Sequence, residues 1–106
     1  MPTPLRQLNA QIFREQLHTK FKVNIDGGEP LLLTLQAVEE RNDSPAMELF
    51  SLHFLGPFTP RLAQKIHRLE HEKLGDFEIF LTAIAADPQQ GTMYESVFHR
   101  FRNKPA

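Results

Sequence analysis

Residues 50–57 constrain the fold more than any other stretch of this chain. Their sequence, Phe-Ser-Leu-His-Phe-Leu-Gly-Pro, alternates apolar and polar side chains and then reaches a Gly-Pro turn dipeptide. Successive side chains of a β-strand point to opposite faces, so a two-residue period is typical of a strand with one face buried and the other in solvent. The stretch therefore predicts a half-buried strand that ends at a turn.

The same alternation recurs elsewhere in the chain. Two later runs, 77–84 and 94–101, repeat it at a spacing typical of a meandering sheet. Nearer the N-terminus, residues 21–25 alternate and run into an Asp-Gly-Gly turn, and a leucine-rich run follows at 31–38. That combination predicts a β-hairpin, after which the polar residues 39–46 suit a solvated loop.

The N-terminal residues carry a helical pattern instead. Thr3 followed by Pro4 resembles an N-cap with proline in the first turn, and apolar residues then recur at helical spacing as far as Leu17. This predicts one amphipathic helix whose apolar stripe closes the core of the domain.

The segment from Thr59 to Gly75 supports two interpretations. Thr59-Pro60 resembles a helix start and Gly75 a residue just beyond a helix, so local rules favour a second helix near residues 60–73. If the same stretch is a strand, alternation places three residues on one face: His67, Leu69 and His71. The residues alone leave both interpretations open.

Composition excludes several classes of function. The chain has 106 residues, a common size for one domain, and no cysteine, which excludes disulfides and cysteine-ligated metals. Its 12 Lys and Arg residues against 13 Asp and Glu give a formal charge of -1, with no basic excess to neutralise phosphates. No apolar run suits a membrane span or a secretory signal. We therefore expect one cytoplasmic domain over residues 1–106, with neither nucleic acid nor membrane as a partner.

The residues predict no metal site, because Arg68 follows His67 and would oppose a cation, and histidines satisfied by neighbouring strands are the favoured interpretation. The candidate ligands of a metal-binding alternative are His67, His71 and the adjacent carboxylate of Glu70. On a helix the two histidines would lie about 6 Å apart and could share an ion. On a strand they would stand about 13 Å apart and could not. No nucleophile elbow, phosphate-binding loop or dinucleotide fingerprint occurs, so the sequence predicts no catalytic residue and no cofactor.

Phe58 is the candidate partner-contact residue. It lies between two prolines in Gly56-Pro57-Phe58-Thr59-Pro60, a sequence typical of a loop. Two roles suit this position, since the ring can cap the open end of a β core or project toward a partner.

Several blocks occur in order along the chain: Phe50-x-Leu52-x-Phe54-x-Gly56-Pro57, Gln64, Leu69-Glu70-His71-x-x-Leu74-Gly75, Phe80-Leu81 and Tyr94-Glu95-x-Val97-Phe98. Within residues 13 to 101 this pattern resembles the signature of a small, uncharacterised bacterial domain family. The resemblance implies a mostly β domain in which residues 65–71 form a strand that leads into a Leu74-Gly75 turn. It implies no activity or catalytic residue, and it implies genes for tail-collar-like proteins of phage-related particles as neighbours. Lys65 and His67 depart from the family pattern.

The residues and the resemblance together predict a mainly β fold. We expect an antiparallel β-sandwich or small open barrel of about six strands, with the N-terminal helix over one end. The alternative is an α+β fold with a second helix near residues 60–73. The residues predicted to face inward are Phe21, Val23, Leu31, Leu33, Leu35, Phe50, Leu52, Phe54, Leu69, Phe80 and Phe98.

The sequence has a fold signature but no cluster of catalytic residues, which predicts a non-enzymatic domain for protein interaction or assembly. The resemblance links this domain to phage-tail-like particles. The docking element would be a sheet edge, the Phe58 loop or the helix. The alternative function is a ligand- or metal-binding domain centred on His67 and His71.

Overall fold

The computed structural model of the chain describes residues 7–25, 28–41 and 46–101. These residues form one short helix and six strands. In chain order the elements are α1 (Ala10–Arg14), β1 (Lys20–Val23), β2 (Leu31–Arg41), β3 (Met47–Gly56), β4 (Lys65–His71), β5 (Gly75–Asp87) and β6 (Gly91–Phe101).

All six strands belong to one antiparallel sheet that closes into a ring in the order β1–β2–β3–β6–β5–β4. The closing contact joins β4 to β1 through the pairs Lys22–Glu70 and Val23–Leu69. The predicted mainly β fold, with about six strands and an N-terminal helix, is confirmed. The predicted hairpin is confirmed too, because β1 pairs with β2 from Lys20–Thr34 to Val23–Leu31.

The two interpretations of residues 59–75 are resolved in favour of the strand, and the second helix near residues 60–73 is wrong. Residues Lys65–His71 form β4 and pair with β5 without interruption, from Lys65–Leu81 to His71–Gly75. Long-range pairing satisfies the backbone groups and buries Leu69 completely, which outweighs the local helical propensity. Gly75 follows the turn with a φ of 79°, a conformation that favours glycine.

The helix is shorter than its predicted span up to Leu17. It covers Ala10–Arg14, and Asn9 is its N-cap, because Asn9 Oδ1 accepts a hydrogen bond of 2.9 Å from the backbone N–H of Ile12. The predicted Thr3-Pro4 start lies outside the described residues. Within the described residues, no helix has the length and apolar character needed to cross a membrane.

A cluster of phenylalanine rings fills the interior beneath α1. The ring of Phe13, which is fully buried, lies 6.2 Å from Phe50, 5.8 Å from Phe77 and 5.9 Å from Phe98, measured between centroids. Phe50 and Phe98 are directly opposite on β3 and β6 and stack at 4.6 Å. The Arg100 guanidinium donates to the carbonyl oxygen of Leu8 and so fastens the start of the helical segment to β6. Edge and stacked contacts of this kind add to the stabilisation from apolar burial.

Nine of the eleven residues predicted to face inward are buried, and two are not. Leu31 is half-buried, and Phe80 is 47% exposed. Phe80 has the same strand parity as Glu78, whereas Phe77, Ile79 and Leu81 point inward and are buried. The two-residue period of the pleat therefore decides which way Phe80 points, and its apolar character does not.

The ring is not a regular barrel, because two neighbouring strands separate over part of their length. β5 pairs with β6 from Thr82–Glu95 to Asp87–Gly91. Residues 75–81 of β5 pair with β4 instead, whereas β6 pairs with β3 from Thr92 to Phe101. Among the described residues, no pairing joins residues 75–81 of β5 to residues 96–99 of β6. We call these two stretches and the gap between them the seam.

Two substitutions of the same kind test the assignment of inner and outer faces. Phe54 is fully buried with its ring 5.2 Å from that of Phe21, so Phe54→Ala should lower the free energy of unfolding by about 3–5 kcal/mol. Phe80→Ala removes the same atoms from an exposed position and should cost less than about 1 kcal/mol. Urea denaturation measures both, and equal losses would contradict the assignment.

Candidate functional site

The three candidate metal ligands lie on one strand but not on one face. His67 and His71 point inward and are buried, whereas Glu70 points outward, where it accepts a hydrogen bond from Asn24 and lies 3.8 Å from Lys22 Nζ. The two histidines are four positions apart on an extended strand, which corresponds to about 13 Å. The structure therefore does not bring the three side chains together. Across residues 7–25, 28–41 and 46–101, no group of three or more His, Asp or Glu residues has the arrangement to hold a metal ion.

His71 is part of a hydrogen-bond chain that fixes its tautomer. Its Nδ1 accepts from the backbone N–H groups of Lys73 at 3.0 Å and Leu74 at 3.2 Å, so the ring proton belongs on Nε2. Nε2–H then donates to Thr19 Oγ1 at 2.8 Å, and the Thr19 hydroxyl donates to the Gln16 carbonyl at 2.7 Å. Neutral His71 thus joins the β4–β5 turn to the segment that precedes β1.

The environment of His71 disfavours its charged form. Burial of the ring lowers the pKa of His71, and the nearby positive charge of Lys73 lowers it further, while Glu72 acts in the opposite direction. A proton on Nδ1 would also remove the acceptor that both turn N–H groups use. The folded protein therefore binds this proton less readily than the unfolded chain does.

Stability should consequently fall in acid. Because the pKa of folded His71 lies below its ordinary value of 6.5, the stabilisation is complete above that pH and is lost as pH falls through the lower, folded value. Urea midpoints of the wild-type domain and His71→Gln, measured from pH 8 to pH 4.5, should differ in slope below pH 6.5. The variant should also lose about 1–3 kcal/mol at neutral pH.

The matched control for that measurement is His99→Gln, since His99 is exposed on β6. His99→Gln leaves the hydrogen bonds of His71 in place, so the loss of stability in acid should persist in this variant. If His71→Gln kept the full acid dependence of the wild type, the titration of His71 would not be its source.

The other buried histidine also serves the fold. His67 Nε2 lies 2.6 Å from the carbonyl oxygen of Ala63, which can only accept, so the ring donates and ties the entry of β4 to the preceding loop. The two candidate histidines thus act as hydrogen-bonding partners of backbone groups at the two ends of β4.

Phe58 is half-buried in the loop after β3. Its carbonyl accepts from Thr92 Oγ1 at 3.3 Å, and the Arg61 guanidinium carbon lies 5.7 Å from the centre of its ring. Farther along, the backbone N–H of Leu62 donates to the Tyr94 hydroxyl at 2.9 Å. These contacts hold the loop against β6, and a partner contact at Phe58 stays a prediction.

Three large apolar side chains on adjacent strands form an exposed group that the sequence did not single out as a surface. They are Ile66, Phe80 and Val97, which are 62%, 47% and 57% exposed, and we call them the outer patch. Ile66 and Phe80 are directly opposite on β4 and β5. Phe80 and Val97 line the two sides of the seam, in a cleft of about 230 Å³ that Ile79, Ser96 and Phe98 also line. The sequence does indicate which way these side chains point. Phe80 is two residues after Glu78, and Val97 is two residues from both Glu95 and His99, so each lies on the same face of its strand as polar residues.

Pairs of polar and charged side chains occupy the outer surface beside this patch. Arg68 and Asp76 pair at 2.7 Å, and Asp76 raises the pKa of the Arg68 guanidinium through that hydrogen bond and its charge. On the other side, His53 and Glu95 are opposite on β3 and β6 and lie 3.0 Å apart. The outer patch is therefore an apolar group with polar neighbours on two sides.

Fold and surface together define a small antiparallel ring domain with an apolar outer patch. The family model described as a domain of unknown function, DUF6916, matches residues 8–98, and the chain belongs to that family. Neither the curated proteins nor the solved structures gave a match.

Proposed function

We propose that this protein is a non-enzymatic interaction domain that binds a protein partner through the outer patch. The observation that carries the proposal is the exposure of Ile66, Phe80 and Val97 side by side on three strands. Their exposed surface amounts to on the order of 300 Å², the size at which an apolar patch on a monomer is often functional. A partner that covered the patch would remove this surface from water.

A binding function is favoured over catalysis because the histidine and glutamate side chains that could act in catalysis have structural roles instead. His71 and His67 use their ring nitrogens to hold backbone groups and a threonine hydroxyl. His53 and Glu95 pair with each other across two strands. These groups stabilise the sheet, whereas the outer patch makes no comparable contribution to the core.

The partner that we propose is a structural protein of a phage-tail-like particle. Support for this partner class comes from the resemblance of the sequence to bacterial domains with such neighbours, and the outer patch supplies the surface. In that role the domain would act as an assembly or accessory factor.

A pair of surface substitutions tests the proposal. Phe80→Thr combined with Val97→Thr removes the apolar character of the seam edge but keeps a residue with high strand propensity, so the domain should fold. Size-exclusion chromatography with light scattering, on mixtures with the purified products of adjacent genes, should show a complex for the wild type. The double variant should bind at least about tenfold more weakly.

Leu32→Thr is the matched control, because Leu32 is 55% exposed on β2, a strand that is not adjacent to the seam. This variant should bind like the wild type, and thermal melting should show all three proteins folded. A wild-type domain that binds none of the products would sink the proposal, as would a double variant that binds one with unchanged affinity.

A further inference from the structure

We infer that the partner contributes an extended segment that adds as a β-strand along the seam. This inference rests on the proposed function and specifies the chemistry of what the outer patch binds. Its basis is the juxtaposition of two strand edges that, among the described residues, do not pair with each other. The cleft between them is lined by apolar side chains together with Ser96, His99 and Arg100.

Backbone groups of β5 and β6 face the seam from its two sides. Along residues 96–99, β6 pairs with β3 on one side, and along residues 75–81, β5 pairs with β4 on one side. A strand that is paired on one side directs alternate N–H and C=O groups away from its neighbour. Within the described part of the chain, these outward N–H and C=O groups do not pair with the opposite strand across the seam. Such rows of donors and acceptors are complementary to another extended backbone.

Buried apolar side chains form the floor of the cleft. Ile79 and Phe98, one from each side of the seam, are both buried, and the Phe98 ring is in contact with Phe13 beneath it. An added strand would therefore lie on a surface that is already packed, and the core would not have to open. Binding to a preformed surface of this kind avoids the cost of reorganising the domain.

The size of the cleft and of the patch identifies the kind of occupant. About 230 Å³ is below the roughly 300–1,000 Å³ of small-molecule pockets, so the cleft suits individual side chains better than a whole ligand. The outer patch, on the order of 300 Å², is also well below the roughly 800 Å² per partner that a standard globular interface buries. A second copy of this chain would need a larger surface, whereas a short segment would not.

The segment must therefore be extended and apolar at alternate positions. Backbone hydrogen bonds to the seam would supply affinity, and side chains at every second position would contact Phe80 and Val97 on the outer face. This is strand addition to a sheet edge, with a protein partner as its source.

A displayed library of random twelve-residue peptides provides the probe. The library is depleted on the folded Phe80→Thr, Val97→Thr double variant and then selected on the wild-type domain. Enriched peptides should carry apolar residues at alternate positions, should bind Leu32→Thr as tightly as the wild type, and should bind the double variant at least about tenfold more weakly.

Two measurements on a selected peptide separate strand addition from docking by side chains alone. Single N-methylation should weaken binding at positions where alanine substitution is tolerated, because a methyl group removes a ladder donor and leaves the side chain intact. Hydrogen exchange should slow, on peptide binding, at alternate backbone amides within residues 96–99 and should be unchanged at residues 31–35 of β2.

The outcomes are distinct for the two proposals. A peptide that binds the outer patch but tolerates N-methylation wherever it tolerates alanine would overturn strand addition and leave the proposed function in place. Failure to enrich any peptide after depletion would also overturn strand addition. The proposed function is decided separately by the mixtures with adjacent gene products, which do not depend on a peptide.

Discussion

The contact of Phe13 with Phe77 and Phe98 is the interaction on which the rest of the ring depends. Phe77 lies on the β5 side of the seam and Phe98 on the β6 side, where no pair among the described residues connects the two strands. The Phe13 ring, on a helix of only five residues, therefore connects β5 and β6 from the inside of the ring, at a place where the pairing of the described residues does not connect them. Apolar packing is well suited to this task because it is non-directional, so it tolerates strands that diverge.

Closure by packing has a consequence for the outer surface. If hydrogen bonds had closed the ring between β5 and β6, their edges would be satisfied and the surface above them would be continuous. Because Phe13 and its neighbours close the interior instead, the edges can remain open without exposing the core. The same arrangement brings Phe80 and Val97 to the two sides of the gap. The stability of the fold and the open edges of the seam therefore have one physical origin.

Much of this fold could be predicted from local patterns, and the failures have identifiable causes. Alternation predicted β3, β5, β6 and the β1–β2 hairpin, because a period of two is a property of each strand by itself. Local rules favoured a helix within residues 59–75, because they take no account of the pairing of β4 with β5 and with β1, which is more distant in sequence. The closure of the ring and the seam depend on strand register and have no local signal. The N-cap at Asn9 was not predicted, because asparagine alone is a weak helix-start signal.

The error at Phe80 shows how a surface can be recognised from the same pattern that predicts the core. Apolar character placed Phe80 inside, but Glu78 two residues earlier marks its parity as outward, and Glu95 and His99 do the same for Val97. An apolar residue on the polar parity of a strand costs solubility without stabilising the core. Two such residues on facing strand edges contribute little to folding, and their position is understandable if another chain covers them. The buried histidines show the converse, since His67 and His71 lie on the apolar parity and serve the fold by hydrogen bonds to the backbone and to Thr19.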